Sequence, residues 1–460
     1  MTESDTIAAI ATPLGQAGIG VIRISGPLAP ELARSLLRPS SLKCDWQSHH
    51  AYHGDILSAD GQTVLDEVLT TLMRKPHSFT GEDVLEISCH GNPLILQTIL
   101  EQLMLLGCRP ARPGEFTRRA FLNGRMDLSQ AEALATMISA QSARAFALGL
   151  AQLKGTLGHD IGRVRTLLID ALAMVEASID FTDDIAENEI YPEPPQIACA
   201  IKSIQALLST YKSARIITQG ISVVITGKPN VGKSSLLNSL AGRKKAIVTD
   251  IPGTTRDLIE ETITSGGLCL NLMDTAGIRK PQDIIEKEGI NLVWERLEQA
   301  DVIVMLLDGS KPLTEEDLHI LDQNKTRADK VILAVNKSDL SQAWTTGQLA
   351  DAFSPRPPVL NISAKFGNGL DDLKETIVRM QHAGDIRSDE GMITQLRHKL
   401  ALEKAYANLE AAQTNHKANL SPEFSAFELR EAIDTLDEIT GQKIREEVLD
   451  KIFSTFCIGK

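Results

Sequence analysis

The feature that most constrains the fold of this chain is an apolar segment that runs into a glycine-rich loop. Residues 221–226 read ISVVIT, residues 227–234 read GKPNVGKS, and SLLNSLAG continues the chain. The apolar run predicts a buried strand and the continuation predicts a helix. Small residues between a strand and a helix let backbone N–H groups point at a phosphate, and the helix N-terminus adds a favourable dipole. The segment therefore predicts a P-loop, with Lys233 on the β/γ-phosphates and the Ser234 hydroxyl on Mg²⁺.

Three further motifs follow along the chain, each at the end of a predicted strand. DTAG follows LCLNLM, NKSD ends VILAVN, and SAK follows VLNI. Asp274 would hold magnesium through water, and the amide of Gly277 would sense the γ-phosphate. Asp339 would accept both N–H donors of a guanine edge, and the SAK backbone would contact the guanine oxygen. Since adenine offers no such donor pair, the sequence predicts a GTP-binding domain.

Two groups that commonly accelerate GTP hydrolysis have no recognisable counterpart in the sequence. Many GTPases carry a glutamine directly after DTAG to orient the attacking water, whereas this chain has Ile278. No arginine finger is recognisable either, an element worth about 10³–10⁵ in rate where it exists. Either hydrolysis is slow, or another residue orients the water and a monovalent cation supplies the missing charge.

The length of 460 residues exceeds one ordinary core, so two or three domains are expected. Before the P-loop, GVIRISG and DVLEISCHG predict strands and PLILQTILEQLMLLG predicts a helix. Alanine and leucine at helical spacing follow from Asp127, and the chain is helical again after the alternating strands and helices of the α/β region. We predict a multidomain α/β and α+β protein, in which a parallel-sheet P-loop domain is inserted into a discontinuous all-α domain. The predicted boundaries are 1–120 (α+β), 121–217 (helical, first part), 218–382 (GTP-binding) and 383–460 (helical, second part).

One helix start in the last segment is predicted from a side-chain pair. Ser425 and Glu428 have the spacing of a capping box. The apolar face of the helix that this box opens would be lined by Leu429, Ile433, Leu436 and Ile439.

Charge and composition restrict the class of protein. The net charge of −13 argues against a simple basic nucleic-acid-binding surface, although a local patch or a partner protein would overcome it. No apolar run reaches the ~18 residues that a bilayer requires, so we predict no membrane partner. The acidic start MTESDTIAAI lacks the basic region of a secretory signal, which favours the cytoplasm. The six cysteines contain no CxxC pair and are expected to be free thiols.

Taken together, these motifs resemble the tRNA-modification GTPase MnmE (TrmE) family over essentially the whole chain. The resemblance rests on DTIAAIATPLGQAGIGVIRISG, TGEDVLEI, RPGEFTRRAFLNGRMDLSQAEA, GKPNVGKSSLLN, TDIPGTTRD, DTAGIR and the terminal CIGK. It implies an N-terminal tetrahydrofolate-binding and dimerisation domain, and a homodimer whose GTPase domains meet when GTP and potassium bind. It also implies a heterotetramer with an FAD-containing MnmG partner. Together they would build a 5-carboxymethylaminomethyl-type group on the wobble uridine of certain tRNAs, using 5,10-methylenetetrahydrofolate or a related tetrahydrofolate.

The resemblance also implies roles for individual residues of the GTP site. Potassium would be held by Asn230, Thr249, Ile251 and Thr254, where its charge replaces an arginine finger. Magnesium would be held by Ser234 and Thr255, and Glu286 would orient the attacking water. Pro252 stands where alanine is also familiar in the family, and it removes one backbone N–H. The implied nucleotide contacts are Asn230, Val231, Gly232, Lys233, Ser234, Ser235, Thr249, Asp250, Ile251, Pro252, Gly253, Thr254, Thr255, Asp274, Thr275, Ala276, Gly277, Asn336, Lys337, Asp339, Ser363, Ala364 and Lys365.

For folate, the resemblance implies contacts from Arg23, Glu82, Arg125 and Lys460. Arg23 would pair with the glutamyl carboxylate, and Glu82 would bind the N–H edge of the pterin. Arg125 stands where the family often has lysine, so it keeps the charge but changes the donor geometry.

The terminal Cys457-Ile-Gly-Lys segment admits three interpretations. It has the length of a prenylation signal, but Gly459 is not aliphatic and the preceding REEVLDKIF is acidic, without a polybasic tail. The thiol is either inert or catalytic. The preferred interpretation threads the tail toward the folate site, where Cys457 would take part in the chemistry.

Two other functions remain open from the sequence. A regulatory or ribosome-assembly GTPase would use the same α/β core and leave residues 1–120 without a folate role. A folate-dependent enzyme acting on small molecules would use the GTPase domain only as a control.

Overall fold

A computed structural model describes residues 5–40, 46–180, 193–242, 261–274, 297–344, 353–381 and 391–460, with the backbone alone at positions 180 and 274. The chain divides into two compact units. The first unit comprises Met1–Ala135, Leu153–Ile201 and Ala401–Lys460, and the second comprises Thr136–Gln152 and Lys202–Leu400.

The first unit contains a mixed sheet, seven-stranded over the residues that the structure describes. The strand order is β3-β4-β5-β6-β2-β1-β7, and neighbouring strands are antiparallel except for the β1–β7 pair. Its strands are β1 (Ile7–Ile10), β2 (Ala17–Ser25), β3 (Leu37–Pro39), β4 (Ala51–Leu57), β5 (Val64–Met73), β6 (Val84–Gly91) and β7 (Arg109–Pro110), and its helices are α1 (Ala29–Ser35), α2 (Pro93–Leu105) and α3 (Glu115–Leu122). The predicted strands GVIRISG and DVLEISCHG and the helix after them are confirmed.

The two faces of this sheet have different partners. Alternate residues such as Ile22 and Ile87 point into a core that Ile99 of α2 and Leu32 of α1 complete. The opposite face meets α3, whose Phe116 packs with Ile7 and Ala9. The period-two alternation of a strand thus sends neighbouring residues of β1 into two environments, because Ala8 belongs to the first core whereas Ile7 and Ala9 belong to the second.

In the part of the chain that the structure describes, four helices follow: α4 (Leu128–Ser139), α5 (Ala143–Leu153), α6 (Thr156–Asp180) and α7 (Pro195–Gln219). Ala145 of α5 and Ile217 of α7 are buried in the core of the second unit. Arg165 and Glu176 of α6 form ion pairs further along the chain, with Asp437 at 2.6 Å and Arg430 at 2.7 Å. The helical region is therefore discontinuous, because these ion pairs join segments on either side of the α/β region.

The second unit is built on a six-stranded sheet, counted over the described ranges, in the order β13-β12-β11-β8-β10-β9. Neighbouring strands are parallel except for β9 and β10. Its elements are β8 (Ile221–Thr226), α8 (Lys233–Ala241), β9 (Glu261–Ser265), β10 (Leu268–Asp274), β11 (Val302–Asp308), α9 (Glu315–Gln323), β12 (Val331–Asn336), β13 (Val359–Asn361) and α10 (Leu370–Met380), with a 3₁₀ helix at Lys325–Lys330. All residues of β11 and β12 are buried, as expected for parallel strands covered on both faces.

The last helices are α11 (Leu396–Lys417), α12 (Pro422–Thr440) and α13 (Glu446–Phe453). The capping box at Ser425 and Glu428 is wrong. The helix begins at Pro422, because proline is preorganised for the first helical turn; Ser425 is buried inside the helix and its hydroxyl donates to Ala412 O at 3.4 Å. The apolar face is confirmed, with Leu429, Ile433, Leu436 and Ile439 buried.

None of the helices in the described part of the chain has both the length and the apolar composition needed to cross a membrane.

Candidate GTP-binding and folate-binding sites

The P-loop closes around the ammonium group of Lys233. This residue begins α8 and is 8% exposed, and its Nζ donates to Gly227 O at 2.7 Å and Lys228 O at 3.0 Å. Asn230 lies in the left-handed region with a φ of 64° and is exposed. The Lys233 side chain is therefore buried within the loop, whereas Asn230 is exposed on its surface.

The end of β12 is tied directly to the P-loop. The side-chain amide of Asn336 donates to Val231 O at 2.7 Å. Gly232 lies beside it with a φ of 104°, and a Cβ there would be 2.4 Å from the Asn336 nitrogen. A glycine is thus required at this position by both backbone conformation and space.

NKSD and SAK meet through a set of short hydrogen bonds. The backbone amide of Ala364 donates to the side-chain oxygen Oδ1 of Asn336 at 2.9 Å, and the Ser363 hydroxyl donates to Asp339 Oδ1 at 2.6 Å. Ser239 of α8 donates to Ala364 O at 2.5 Å. Among the described residues, none donates to the other oxygen of Asp339, so this oxygen can receive a donor from a ligand.

Sequence reasoning missed the ion pair that supports Lys337. Its Nζ lies 2.6 Å from Asp308 Oδ2, at the end of β11. Burial raises the pKa of Asp308, but hydrogen bonds from Lys337 and Ser310 outweigh burial and hold that pKa below its ordinary value. The available signal was the position of Asp308, which ends a strand beside the one that NKSD ends.

A second missed ion pair fixes the start of the P-loop. Lys228 Nζ lies 2.6 Å from Asp317 Oδ2 in the first turn of α9, and Asp317 is 2% exposed. The same oxygen closes a capping box with Thr314. Burial raises the pKa of Asp317, yet the bonds from Lys228 and Thr314 lower it below its ordinary value. The capping box was visible in the sequence, whereas its link to the P-loop was not.

The face of β2 that packs against α3 carries the first of the folate candidates, Arg23. Arg23 Nε lies 2.8 Å from Glu86 Oε1, and its Nη1 donates to Gly459 O at 3.3 Å. The guanidinium also lies over two aromatic rings, at 5.4 Å from the centre of Phe79 and 5.9 Å from that of Phe116. Arg23 is therefore in contact with the C-terminal tail.

The tail itself lies against the end of β1 and the residue that precedes α3. Gly114 N donates to Cys457 O at 3.4 Å, and a Cβ on Gly459 would be 2.6 Å from Ile10 O. Phe456 is buried, while the Cys457 thiol is free and exposed. Because Arg23 also donates to Gly459 O, the tail passes beside Arg23, while its role in a folate site stays a prediction.

The two remaining folate candidates approach each other through one loop. Glu82 accepts a hydrogen bond from the Ser25 hydroxyl of β2 at 2.7 Å. Its neighbour Gly81 packs beside Arg125, whose Cγ would be 3.3 Å from a Cβ on that glycine. Strand β2 and the loop at residues 80–82 therefore connect Arg23, Glu82 and Arg125.

Comparisons with known proteins identify the family of the chain. The family model described as MnmE helical domain matches residues 128–457, and the one described as GTP-binding protein TrmE N-terminus matches residues 6–125. A tRNA modification GTPase MnmE of Syntrophus aciditrophicus is 45% identical over 99% of both chains, and one of Geobacter metallireducens is 44% identical over 99% of both. The chain belongs to the tRNA modification GTPase MnmE family. The solved G domain of the T. maritima FeoB iron transporter is 31% identical, over 35% of this chain and 98% of that one, with a TM-score of 0.27.

Membership of the MnmE family confirms the predicted fold class and the prediction of a GTPase in tRNA modification. Several residue-level predictions for an MnmE protein lie outside the described residues. They are Thr249, Asp250, Ile251, Pro252, Gly253, Thr254, Thr255, Thr275, Ala276, Gly277 and Glu286. Asp274 is described by its backbone alone and pairs with Ile225. Ser234 and Ser235 are exposed on the first turn of α8, and Lys365 Nζ lies 5.1 Å from the centre of the Phe366 ring.

Proposed function

We propose that this MnmE-family chain is a potassium-dependent GTPase that forms a homodimer and works with an FAD-containing, MnmG-type flavoprotein. The complex installs a 5-carboxymethylaminomethyl-type group on the wobble uridine of certain tRNAs, with a tetrahydrofolate as one-carbon donor. Because its substrate is tRNA, we expect the complex to act in the cytoplasm. The observation that supports the proposal best is the contact of the C-terminal tail with Arg23, in a chain whose NKSD and SAK segments also meet through hydrogen bonds.

Different residues of the second unit bind the phosphates, recognise the guanine and position the loops of the GTP site. Lys233 exchanges its two loop carbonyls for phosphate oxygens, and the amides at the start of α8 bind the same group. Asp339 keeps one oxygen on Ser363 and accepts guanine N–H donors with the other. Asn336 holds the P-loop and the SAK segment at a fixed separation.

Each implied cation has one proposed ligand among the described residues. Ser234 offers an exposed hydroxyl at the first turn of α8 for Mg²⁺, with Thr255 as the second proposed ligand. Asn230 offers an exposed amide oxygen for K⁺, together with Thr249, Ile251 and Thr254. When bound, these cations supply the positive charge that stabilises the phosphoryl oxygens during hydrolysis. Glu286 orients the attacking water in place of the missing glutamine.

On the first unit, Arg23, Glu82, Arg125 and Lys460 hold the folate. Arg23 forms an ion pair with Glu86 and also donates a hydrogen bond to Gly459 O of the tail. Cys457 is exposed next to this face, where its thiol can take part in the one-carbon chemistry.

The proposal is tested in three measurements on the full chain and on cells. Purified protein hydrolyses GTP faster in potassium buffer than in sodium buffer, and it binds tetrahydrofolate. Wobble uridines in tRNA from cells lacking the chain lose their modification in nucleoside mass spectrometry, and Cys457→Ser does not restore it. Equal hydrolysis in both buffers, or unchanged nucleosides in the deletion strain, would contradict the proposal.

A further inference from the structure

Glu82 is held by one of its two carboxylate oxygens. Oε2 accepts the Ser25 hydroxyl at 2.7 Å and Arg119 Nη1 at 3.1 Å. Among the described residues, none donates a hydrogen bond to Oε1, although the side chain is 21% exposed. Two donors on a single oxygen fix the plane of the carboxylate, which a free glutamate can rotate. The arrangement leaves a second oxygen, in a set orientation, available to a ligand.

The two donors belong to the interior of the first unit. Ser25 is 0% exposed and Arg119 is 4% exposed. The Ser25 hydroxyl also lies 2.7 Å from Thr80 Oγ1, and the Glu82 amide donates to that same Thr80 oxygen at 3.2 Å. Both the backbone and the side chain of Glu82 are therefore anchored to buried groups, which limits the freedom of the residue.

Arg119 is itself held by carboxylates from two further segments. Its Nη2 lies 2.7 Å from Asp5 Oδ1 and 3.2 Å from Glu115 Oε1. Arg109 binds the same two carboxylates, at 2.8 Å from Asp5 and through two bonds to Glu115. Because the guanidinium has several partners, it keeps its position when Glu82 engages a ligand.

The charges in this cluster do not cancel. Two guanidinium groups, of Arg109 and Arg119, face three carboxylates, those of Asp5, Glu82 and Glu115. One negative charge is left over, and Glu82 is less buried than Glu115. A ligand that presents N–H donors, as a pterin edge does, is the chemical class that complements this carboxylate.

The geometry points to Arg119 and Ser25 as positioning residues for the folate site, which act by fixing Glu82 Oε2 so that Oε1 meets the pterin N–H edge. This inference rests on the proposed folate binding. It assigns the two residues no contact with folate, so their effect passes through Glu82. A residue that acts in this way loses its effect once Glu82 is gone.

The test is a double-mutant cycle on the full chain, measured by calorimetric titration with tetrahydrofolate under anaerobic conditions. We expect Glu82→Gln and Arg119→Gln each to weaken binding roughly tenfold or more, as for hydrogen bonds to charged groups. Ser25→Ala weakens it by a smaller factor. In the Glu82→Gln background, neither Arg119→Gln nor Ser25→Ala weakens binding further.

Arg109→Gln is the matched control, because it removes the same kind of charge from the same cluster while its described bonds go to Asp5, Glu115 and Pro110. We expect it to leave folate affinity close to that of the wild type. Thermal unfolding is recorded for every variant. If Arg119→Gln does not fold, the positioning role is tested by the cycle of Ser25→Ala with Glu82→Gln.

The outcomes separate this inference from the proposed function. A wild-type chain that does not bind tetrahydrofolate overturns the folate proposal itself. Wild-type binding with unchanged affinity in Ser25→Ala and Arg119→Gln overturns only the positioning role. Additive losses of folate affinity in the double variants also overturn the positioning role. So does a loss in Arg109→Gln as large as that in Arg119→Gln, because the cluster would then affect binding only through the stability of the fold.

Discussion

Gly232 shows how one residue sets the geometry of the nucleotide site. Its φ of 104° is unfavourable for any side chain, and an added Cβ would be 2.4 Å from the Asn336 amide. Gly232→Ala therefore has to shift the P-loop away from β12, at about 1–3 kcal/mol of strain. We expect the dissociation constant of a fluorescent GDP analogue to rise roughly tenfold or more.

Gly162 provides the control at the same scale. It lies inside α6, and an added Cβ would have no neighbour within 4 Å. Gly162→Ala should leave nucleotide affinity unchanged and stabilise the helix by about 0.5–1 kcal/mol. If both alanine variants bind nucleotide like the wild type, the steric account of Gly232 is wrong.

At the scale of elements, Lys228 couples the P-loop to helix α9. The residue bonds to Asp317, which is 2% exposed and also caps the helix. Lys228→Met leaves a buried carboxylate without its counter-charge, which typically costs about 3–5 kcal/mol. We expect urea unfolding of the α/β domain to shift to lower denaturant concentration.

The matched control is a lysine in an exposed pair. Lys374 lies 2.9 Å from Asp371, whose side chain is 86% exposed, within the first turns of α10. Lys374→Met should change stability by less than about 0.5 kcal/mol, because solvent screens this pair. Equal shifts for the two variants would show that burial of Asp317 has no special energetic consequence.

The same ion pair predicts a dependence on pH. The pKa of Asp317 is lower in the folded chain than its ordinary value, since the bonds from Lys228 and Thr314 outweigh the opposing effect of burial. The pair therefore contributes its full stability above the ordinary pKa, and this contribution is lost as the pH falls through the folded-state pKa. Unfolding midpoints measured from neutral to acidic pH should fall more steeply for the wild type than for Lys228→Met. Parallel profiles would contradict this assignment.

For the whole molecule, the decisive contact joins the two ends of the chain. Gly459 has a φ of 91°, and a Cβ there would be 2.6 Å from Ile10 O on the first strand. Gly459→Ala should displace Lys460 and Cys457 from the face that carries Arg23. We expect modified wobble uridine to fall in nucleoside mass spectrometry, with GTP hydrolysis as the internal reference. The control is Gly18→Ala, where an added Cβ meets nothing within 4 Å. An equal loss of modified uridine in this variant would show that the position of the tail is not the cause.

Local sequence patterns predicted much of the fold, but they did not predict the ion pairs that hold the GTP site in place. The buried strands, the P-loop and the convergence of NKSD with SAK follow from apolar runs and from motif order along a parallel sheet. Lys228 and Asp317 are 89 residues apart, and Lys337 and Asp308 are 29 apart; no local pattern relates them. The helix start near Ser425 was missed for another reason, since Pro422 competes with the serine as a start signal.

By itself the sequence determined which strands carry the nucleotide motifs, in what order those motifs occur, and that the nucleotide is GTP. Those properties depend on the periodicity of apolar residues and on short motifs, which are local. Tertiary structure alone decided which charges are paired, which oxygen of Glu82 remains available, and where the tail lies. These depend on which strand ends and loops meet in space, because an ion pair or a hydrogen bond forms over about 3 Å regardless of separation along the chain.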